Sequence, residues 1–372
     1  MRKIASWFFI FIGLALMVAS TSGPIMHFLN TKRAGLSGWA GVHHAAGAGD
    51  LVSMAYLDKE KNFYEAKDYQ FSKPADTGNR NIDLYVYGDS YVWEVPDSVF
   101  GHVSQYHFAR RDYTDLKYML DPHKKNILLI EDAERFIRLY FQYFSIFDHV
   151  RKEPTTLSSL GGGNSDAGRL LMMDGHSSPV NYALLGIKAD LLFNPGINHN
   201  LEFNLFGYAF IDPVKLFKAS ATYRLFGRAS GDVVVSENGK YLFLRQTVAA
   251  HDLLSSYNPI GQQELALLTD HLNTIYEHYK REGFDEVYLS IIPNPVSILQ
   301  PNYYNGLIPA LQRAPALKMP VIDVYSIFAK SPDPGALYRV GDTHWNDNGL
   351  QIWIRAVNTL LDEAAVKAVG PR

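Results

Sequence analysis

The 372-residue sequence contains no cysteine. That absence removes thiol nucleophiles, disulfides, thiolate zinc sites and a lipid-bearing cysteine together, while leaving the compartment open. Positive charge is not in excess either: 35 Lys and Arg stand against 38 Asp and Glu, a formal net charge of −3. No Lys/Arg stripe of the kind that neutralises phosphate backbones is present, so nucleic acid is not an expected partner. No repeat of fixed period occurs. Metal ligands at a usable spacing are also missing: His43-His44 has no partners at zinc spacing, and neither H-E-x-x-H nor a calcium loop is found. The "GGGN" stretch lacks the Lys-Ser/Thr of a phosphate loop and reads as a turn, so no cofactor is expected.

What remains is an ordinary globular composition, 47% hydrophobic and 20% charged, enough to bury one large or two modest cores. At the start, "MRKIASWFFIFIGLALMVASTSG" places Arg2 and Lys3 ahead of an apolar run from Ile4 to Ala19. This is the pattern of an export signal. The run falls short of the ~20 residues that span a bilayer, yet apolar character resumes to Leu29. A cleaved signal peptide and a membrane anchor, residues 1–29, are both open, and either places the rest of the chain outside the cytoplasm.

Residues 30–80 read as a tether and irregular region, rich in Gly and Ala up to Asp50. "IDLYVYG" (82–88) alternates as a strand, and "NILLIE" (126–131) feeds a helical pattern in "DAERFIRLYFQYF" (132–144). A helix near 260–282, a strand at 286–292, a helix near 304–314, a strand at 320–325 and a last helix from about Asn348 to Val366 follow. The alternation predicts an α/β, three-layer, flavodoxin-like fold with a parallel sheet, built from 81–150 and 252–372. Residues 151–251 break the pattern and read as a roughly 100-residue insertion or cap over the carboxyl edge of the strands. Within it, Asn238-Gly239 marks a hairpin in "VVVSENGKYLFL".

In "YVYGDSYVWEV" (85–95), Ser90 follows a strand end and precedes an expected helix. Its hydroxyl would then sit at the sheet's carboxyl edge, with helix-end N–H groups near enough to stabilise an oxyanion. A serine nucleophile needs a base, and the base needs an orienting carboxylate. "YRVGDTHWNDNGLQIW" (338–353) offers Asp342 and His344 two positions apart, before the last helix. In an extended loop alternate side chains share one side, so Asp342 would hold Nδ1–H while Nε2 faces Ser90. Trp345 would wedge the imidazole, and Asn346 or Asp347 would cap the helix. Asn294, after the strand at 286–292, is a candidate oxyanion donor beside the Ser90 N–H. Glu131, Glu134 and Arg135 begin a helix after a strand and are candidates to support the site from behind, or simply a solvated first turn. Rival sites are "GNSDA" (163–167), which lacks the preceding strand of a nucleophile elbow, and the pair Asp174 and His176.

Gly88-Asp89-Ser90 with Asp342-Thr343-His344-Trp345 resembles the first and last blocks of the SGNH/GDSL hydrolase superfamily, and the "DTHW" form resembles its alginate O-acetyltransferase branch. The likeness covers roughly 80–150 and 255–366. It implies Ser90 as nucleophile, His344 as base and Asp342 as its orienter. It further implies an acetyl group, an exopolysaccharide or envelope-glycan substrate, and a membrane-bound O-acyltransferase partner that delivers the acetyl. Two departures mark a distinct branch: the serine precedes the Asp-His pair, unlike in the alginate enzymes, and the pair is D-x-H rather than D-x-x-H. An esterase or deacetylase with the same triad, and a non-catalytic envelope scaffold or glycan-binding protein, are the alternatives. The 23 tyrosines suit sugar stacking as well as core filling.

Overall fold

The computed structural model describes residues 2–21, 49–65, 69–74, 80–111, 113–141, 146–153, 201, 205 and 211–367. The chain divides into two units, Met1–His44 with Thr155–Lys218, and Ala45–Pro154 with Ala219–Arg372. The first contains α1 (Arg2–Thr21), whose Trp7, Phe8, Phe9 and Phe11 are exposed. Among the described residues no helix is long and apolar enough to cross a membrane.

The second unit is built on five strands, β1 (Ile82–Gly88), β2 (Val103–Arg110), β3 (Lys125–Ala133), β4 (Glu286–Ile292) and β5 (Val321–Ile322). All pair in parallel in the order β2-β1-β3-β4-β5. Helices α2 (Asp50–Met54), α3 (Glu134–Tyr140), α5 (Gln262–Glu282) and α6 (Asp347–Lys367) accompany them, while α4 (Asp212–Phe226) belongs to the first unit as far as Lys218 and to the second from Ala219. The expected α/β class with a central parallel sheet is present. This strand order reverses between β1 and β3, and at such a reversal the loops beyond the carboxyl ends diverge and leave a crevice. Ser90 lies in the loop leaving β1.

The period-two alternation decides which residues meet which helix. Ile82, Leu84, Val86, Ile127 and Leu129 share one cluster with Trp353, Ile354, Val357 and Leu361 of α6. Tyr85, Tyr87, Leu128, Ile130, Val287 and Leu289 share the other with Leu268, Leu272, Ile275 and Tyr279 of α5. Helices therefore cover both faces, and the buried strands read as apolar runs. Burying each such large side chain contributes about 1.5–3 kcal/mol before chain entropy is counted.

A third cluster joins Leu51, Val52, Leu57 and Phe63 to Ala219, Val233 and Leu242. Val233–Val235 and Leu242–Leu244 form the antiparallel hairpin expected at Asn238-Gly239, with Gly239 at φ 72°. Leu242 N–H bonds to the Val340 carbonyl at 2.8 Å, so this hairpin braces the segment carrying Asp342. The stretch expected to be tether thus packs in the same unit as the sheet from Ala45 onward. Several elements differ from expectation. β2 was not anticipated, α3 ends at Tyr140, and β5 is only two residues long.

Candidate active site

β1 ends at Gly88, where a Cβ would lie 2.7 Å from both Glu131 Oε2 and Val92 Cγ2, so the turn closes only around glycine. Asp89 is buried and ties that turn to the end of β3. Its Oδ1 accepts the Tyr91 N–H at 2.8 Å, and its Oδ2 accepts the Ala133 N–H at 3.0 Å. The Asp89 N–H in turn donates to Glu131 Oε2 at 2.9 Å. No helix follows Ser90, contrary to expectation: residues 90–94 turn, and Asp97–Val99 make a single 3₁₀ turn. Val92 and Val95 are β-branched, Pro96 is extended, and the chain must return to β2 at Val103. Helix-end donors are therefore not supplied at Ser90. Its own N–H has no acceptor among the described residues and stays available to an oxyanion.

The distant segment arrives as foreseen, though by a different geometry. Ser90 Oγ lies 2.8 Å from His344 Nε2, and His344 Nδ1 lies 2.6 Å from Asp342 Oδ1. With Nδ1–H donated to the carboxylate, Nε2 is left to accept from the serine hydroxyl. The loop is a tight turn rather than extended, closed by the Tyr338–Trp345 bridge and by Arg339 N–H to the His344 carbonyl at 3.3 Å. Asp342 Oδ1 also accepts the His344 backbone N–H at 3.0 Å, which is how a carboxylate two positions away meets the ring. Burial opposes the charge on Asp342, but the His344 hydrogen bond and charge and the N–H groups of His344 and Asp50 outweigh it. Its pKa is held well below the usual carboxylate range.

Trp345 does not wedge the imidazole. Tyr91 does, its ring centroid 4.6 Å from that of His344, and Trp345 stands behind Tyr91 at 5.2 Å, buried with Phe328 and Trp353. The Tyr91 hydroxyl donates to the Thr343 carbonyl and accepts from Arg135 Nη1 at 3.4 Å. Asn346 Oδ1 accepts the Gly349 N–H at 3.4 Å at the start of α6. Asp347 instead accepts from Gln70 N–H at 2.8 Å.

The residues expected behind the site are there, in a buried network. Among the described residues Asn294 makes no hydrogen bond to Ser90. Its Oδ1 accepts from Arg135 at 3.5 Å and one N–H of its Nδ2 donates to Ser256 Oγ at 2.9 Å, so it belongs to the buried network behind the site. Glu134 accepts from Asn294 N–H at 2.9 Å and Ser297 Oγ at 2.6 Å. Burial pushes Glu134 up to about 7, against these hydrogen bonds. Burial and Asp89 raise Glu131 well above the carboxylate range. Asp132, raised by burial to about 7 against its ion pair with Arg111, completes the group.

Asp50, missed in the sequence, joins the site from the other end of the chain. Its carboxylate accepts the Thr343 N–H at 2.8 Å and the Thr343 hydroxyl at 2.5 Å, and its Oδ2 lies 3.9 Å from His344 Nδ1. Asp50, Asp342 and His344 are close enough together to hold a metal ion. The donor set fits that use poorly: Nδ1 and Oδ1 are in direct hydrogen-bond contact, and both carboxylates are engaged by N–H and O–H donors. The rivals "GNSDA", Asp174 and His176, together with His43-His44, lie outside the described residues. No family profile, curated protein or solved structure matches the chain.

Proposed function

We propose that this protein is an exported, serine-dependent O-acyltransferase, acetyl being the expected group and an envelope or exopolysaccharide glycan the expected acceptor. The continuous path Ser90 Oγ–His344 Nε2, His344 Nδ1–Asp342 Oδ1 at 2.8 and 2.6 Å carries the reading. Ser90 Oγ attacks the acyl carbonyl while His344 Nε2 takes its proton. Asp342 holds the ring's tautomer and stabilises the imidazolium. The Ser90 N–H donates to the tetrahedral oxyanion. His344 then returns the proton to the departing group, leaving an acyl-serine. An acceptor hydroxyl, deprotonated by His344, attacks that ester and regenerates Ser90.

The glycan acceptor, the acetyl group and a membrane-bound O-acyltransferase supplying it rest on the likeness of the Gly-Asp-Ser and Asp-Thr-His-Trp blocks. The amino-terminal pattern of Arg2, Lys3 and an apolar run supports export. Water as acceptor is favoured by one observation, the 20% exposure of the His344 side chain, which leaves the base within reach of solvent. Incubating the protein with an acetyl ester, with and without oligosaccharide, separates the two. Acetylated sugar marks transfer, and release independent of acceptor marks an esterase. Ser90→Ala should abolish both reactions and labelling by a fluorophosphonate, a loss of about 10⁴-fold or more. Turnover surviving that substitution would sink the serine mechanism.

A further inference from the structure

We propose that Asp50 is a positioning residue for the Ser90–His344–Asp342 relay, holding the catalytic turn through Thr343 and placing a second negative charge beside His344 Nδ1. The inference rests on the nucleophile reading above.

The contacts are reciprocal. The Asp50 backbone N–H donates to Asp342 Oδ2 at 3.2 Å, while the Asp50 carboxylate takes both the N–H and the hydroxyl of Thr343. The turn between the catalytic acid and base is thus gripped on each side by one residue. The Thr343 hydroxyl oxygen lies 3.2 Å from His344 Nδ1. Because its proton points to Asp50, its lone pairs face the Nδ1–H, so Asp50 adds to the field that stabilises the imidazolium. The backbone reinforces the approach: Val52 N–H bonds to the Gly341 carbonyl at 3.2 Å, and a Cβ at Gly49 would collide with that same carbonyl. Two glycines therefore permit the contact that delivers the carboxylate.

Around the imidazole, Asp342 and Asp50 face Nδ1, Tyr91 packs on the ring, Arg135 reaches the Tyr91 hydroxyl, and Asp89 anchors the Ser90 turn. Tyr69 couples to Asp342 and to Arg339 from outside the turn. Removing the Asp50 charge leaves Asp342 as the one carboxylate of the pair on Nδ1, and protonated His344 becomes less stable. Packing and the neighbouring Asp342 raise the Asp50 pKa against the pull of His344 and Thr343, as expected for two acids sharing one base. A residue that merely braced the backbone would leave the base's titration where it was.

The test is the rate of fluorophosphonate labelling of full-length protein against pH. Asp50→Asn keeps an acceptor for the Thr343 N–H but removes the charge. Its acid limb should move about one pH unit lower, with a several-fold lower plateau. Asp50→Glu should restore the position of the limb. Thr343→Val keeps the Asp50 charge and cuts the hydroxyl link, so the plateau should fall while the limb moves less than in Asp50→Asn. An Asp50→Asn profile superimposing on wild type overturns the proposal. Should that variant fail to fold, wild-type labelling by Thr343→Val overturns it equally. Wild-type protein that resists labelling altogether would sink the nucleophile assignment, and this inference with it.

Discussion

Glu134 and Asp342 are both buried carboxyls, yet their surroundings push them in opposite directions. Asp342 is depressed by His344, so the stability it contributes is present above the ordinary carboxyl pKa of about 4 and is lost only as pH falls through its lower folded value. Glu134, raised to about 7, holds its proton in the fold where the unfolded chain has already released it. The native state then binds more protons between about pH 4 and 7, and stability falls as pH rises across that window. Glu134→Gln should make this part of the profile shallower without removing its slope, since Asp132 and Glu131 are raised in the same direction; Oε1 of the amide can still accept from Asn294 and Ser297, so the fold is kept. Thermal midpoints taken at half-unit pH intervals read the slope, and an unchanged slope would assign the pH dependence elsewhere. Asp342 and His344 were legible as a pair because they stand two positions apart, and Ser90 because it closes a Gly-Asp-Ser block at a strand end, a chemical context readable without its distant partner. Asp50 was not, since its partner Asp342 lies 292 positions away and its own neighbourhood is Gly and Ala. Tyr91 was overlooked beside Trp345 for a related reason: ring order depends on how two loops stack.

Among the elements, α5 and α6 were legible because a long helix repeats its apolar spacing several times, as at Leu268, Leu272, Ile275 and Tyr279. β2 escaped because "VSQYHFAR" sits at the sheet edge, where only Val103 and Ala109 are fully buried and no clean alternation survives. The helix expected after Ser90 failed because local apolar spacing does not register Pro96 or the distance back to the sheet. α6 also couples the core to the sheet through a polar contact that no pattern announces: Trp353 Nε1 donates to Ser290 Oγ on β4 at 2.9 Å, both residues fully buried. Trp353→Phe removes the donor and leaves the Ser290 hydroxyl and a small void. It should cost about 1–3 kcal/mol in denaturant unfolding, while fluorophosphonate labelling of Ser90 persists. A loss of labelling without a loss of stability would instead tie this contact to the site.

For the whole molecule, the boundary that matters lies between the amino-terminal residues and the unit beginning at Ala45. Leu51, Val52, Leu57 and Phe63 are almost wholly buried in one cluster with Val233 and Leu242, and Leu242 bonds to Val340, next to the turn that carries Asp342 and His344. At about 1.5–3 kcal/mol for each large apolar side chain, these four account for roughly 6–12 kcal/mol of burial. That is comparable to the entire 5–15 kcal/mol by which domains are stable. A chain beginning at residue 45 should therefore melt near the full-length protein and label at Ser90. One beginning at residue 65 should lose the hairpin's packing partner together with Asp50, and melt far lower or remain unfolded. Circular dichroism melts with fluorophosphonate labelling decide the matter. Equal melting of the two truncations would show that the third cluster contributes little and that the turn carrying Asp342 and His344 is held by the sheet alone.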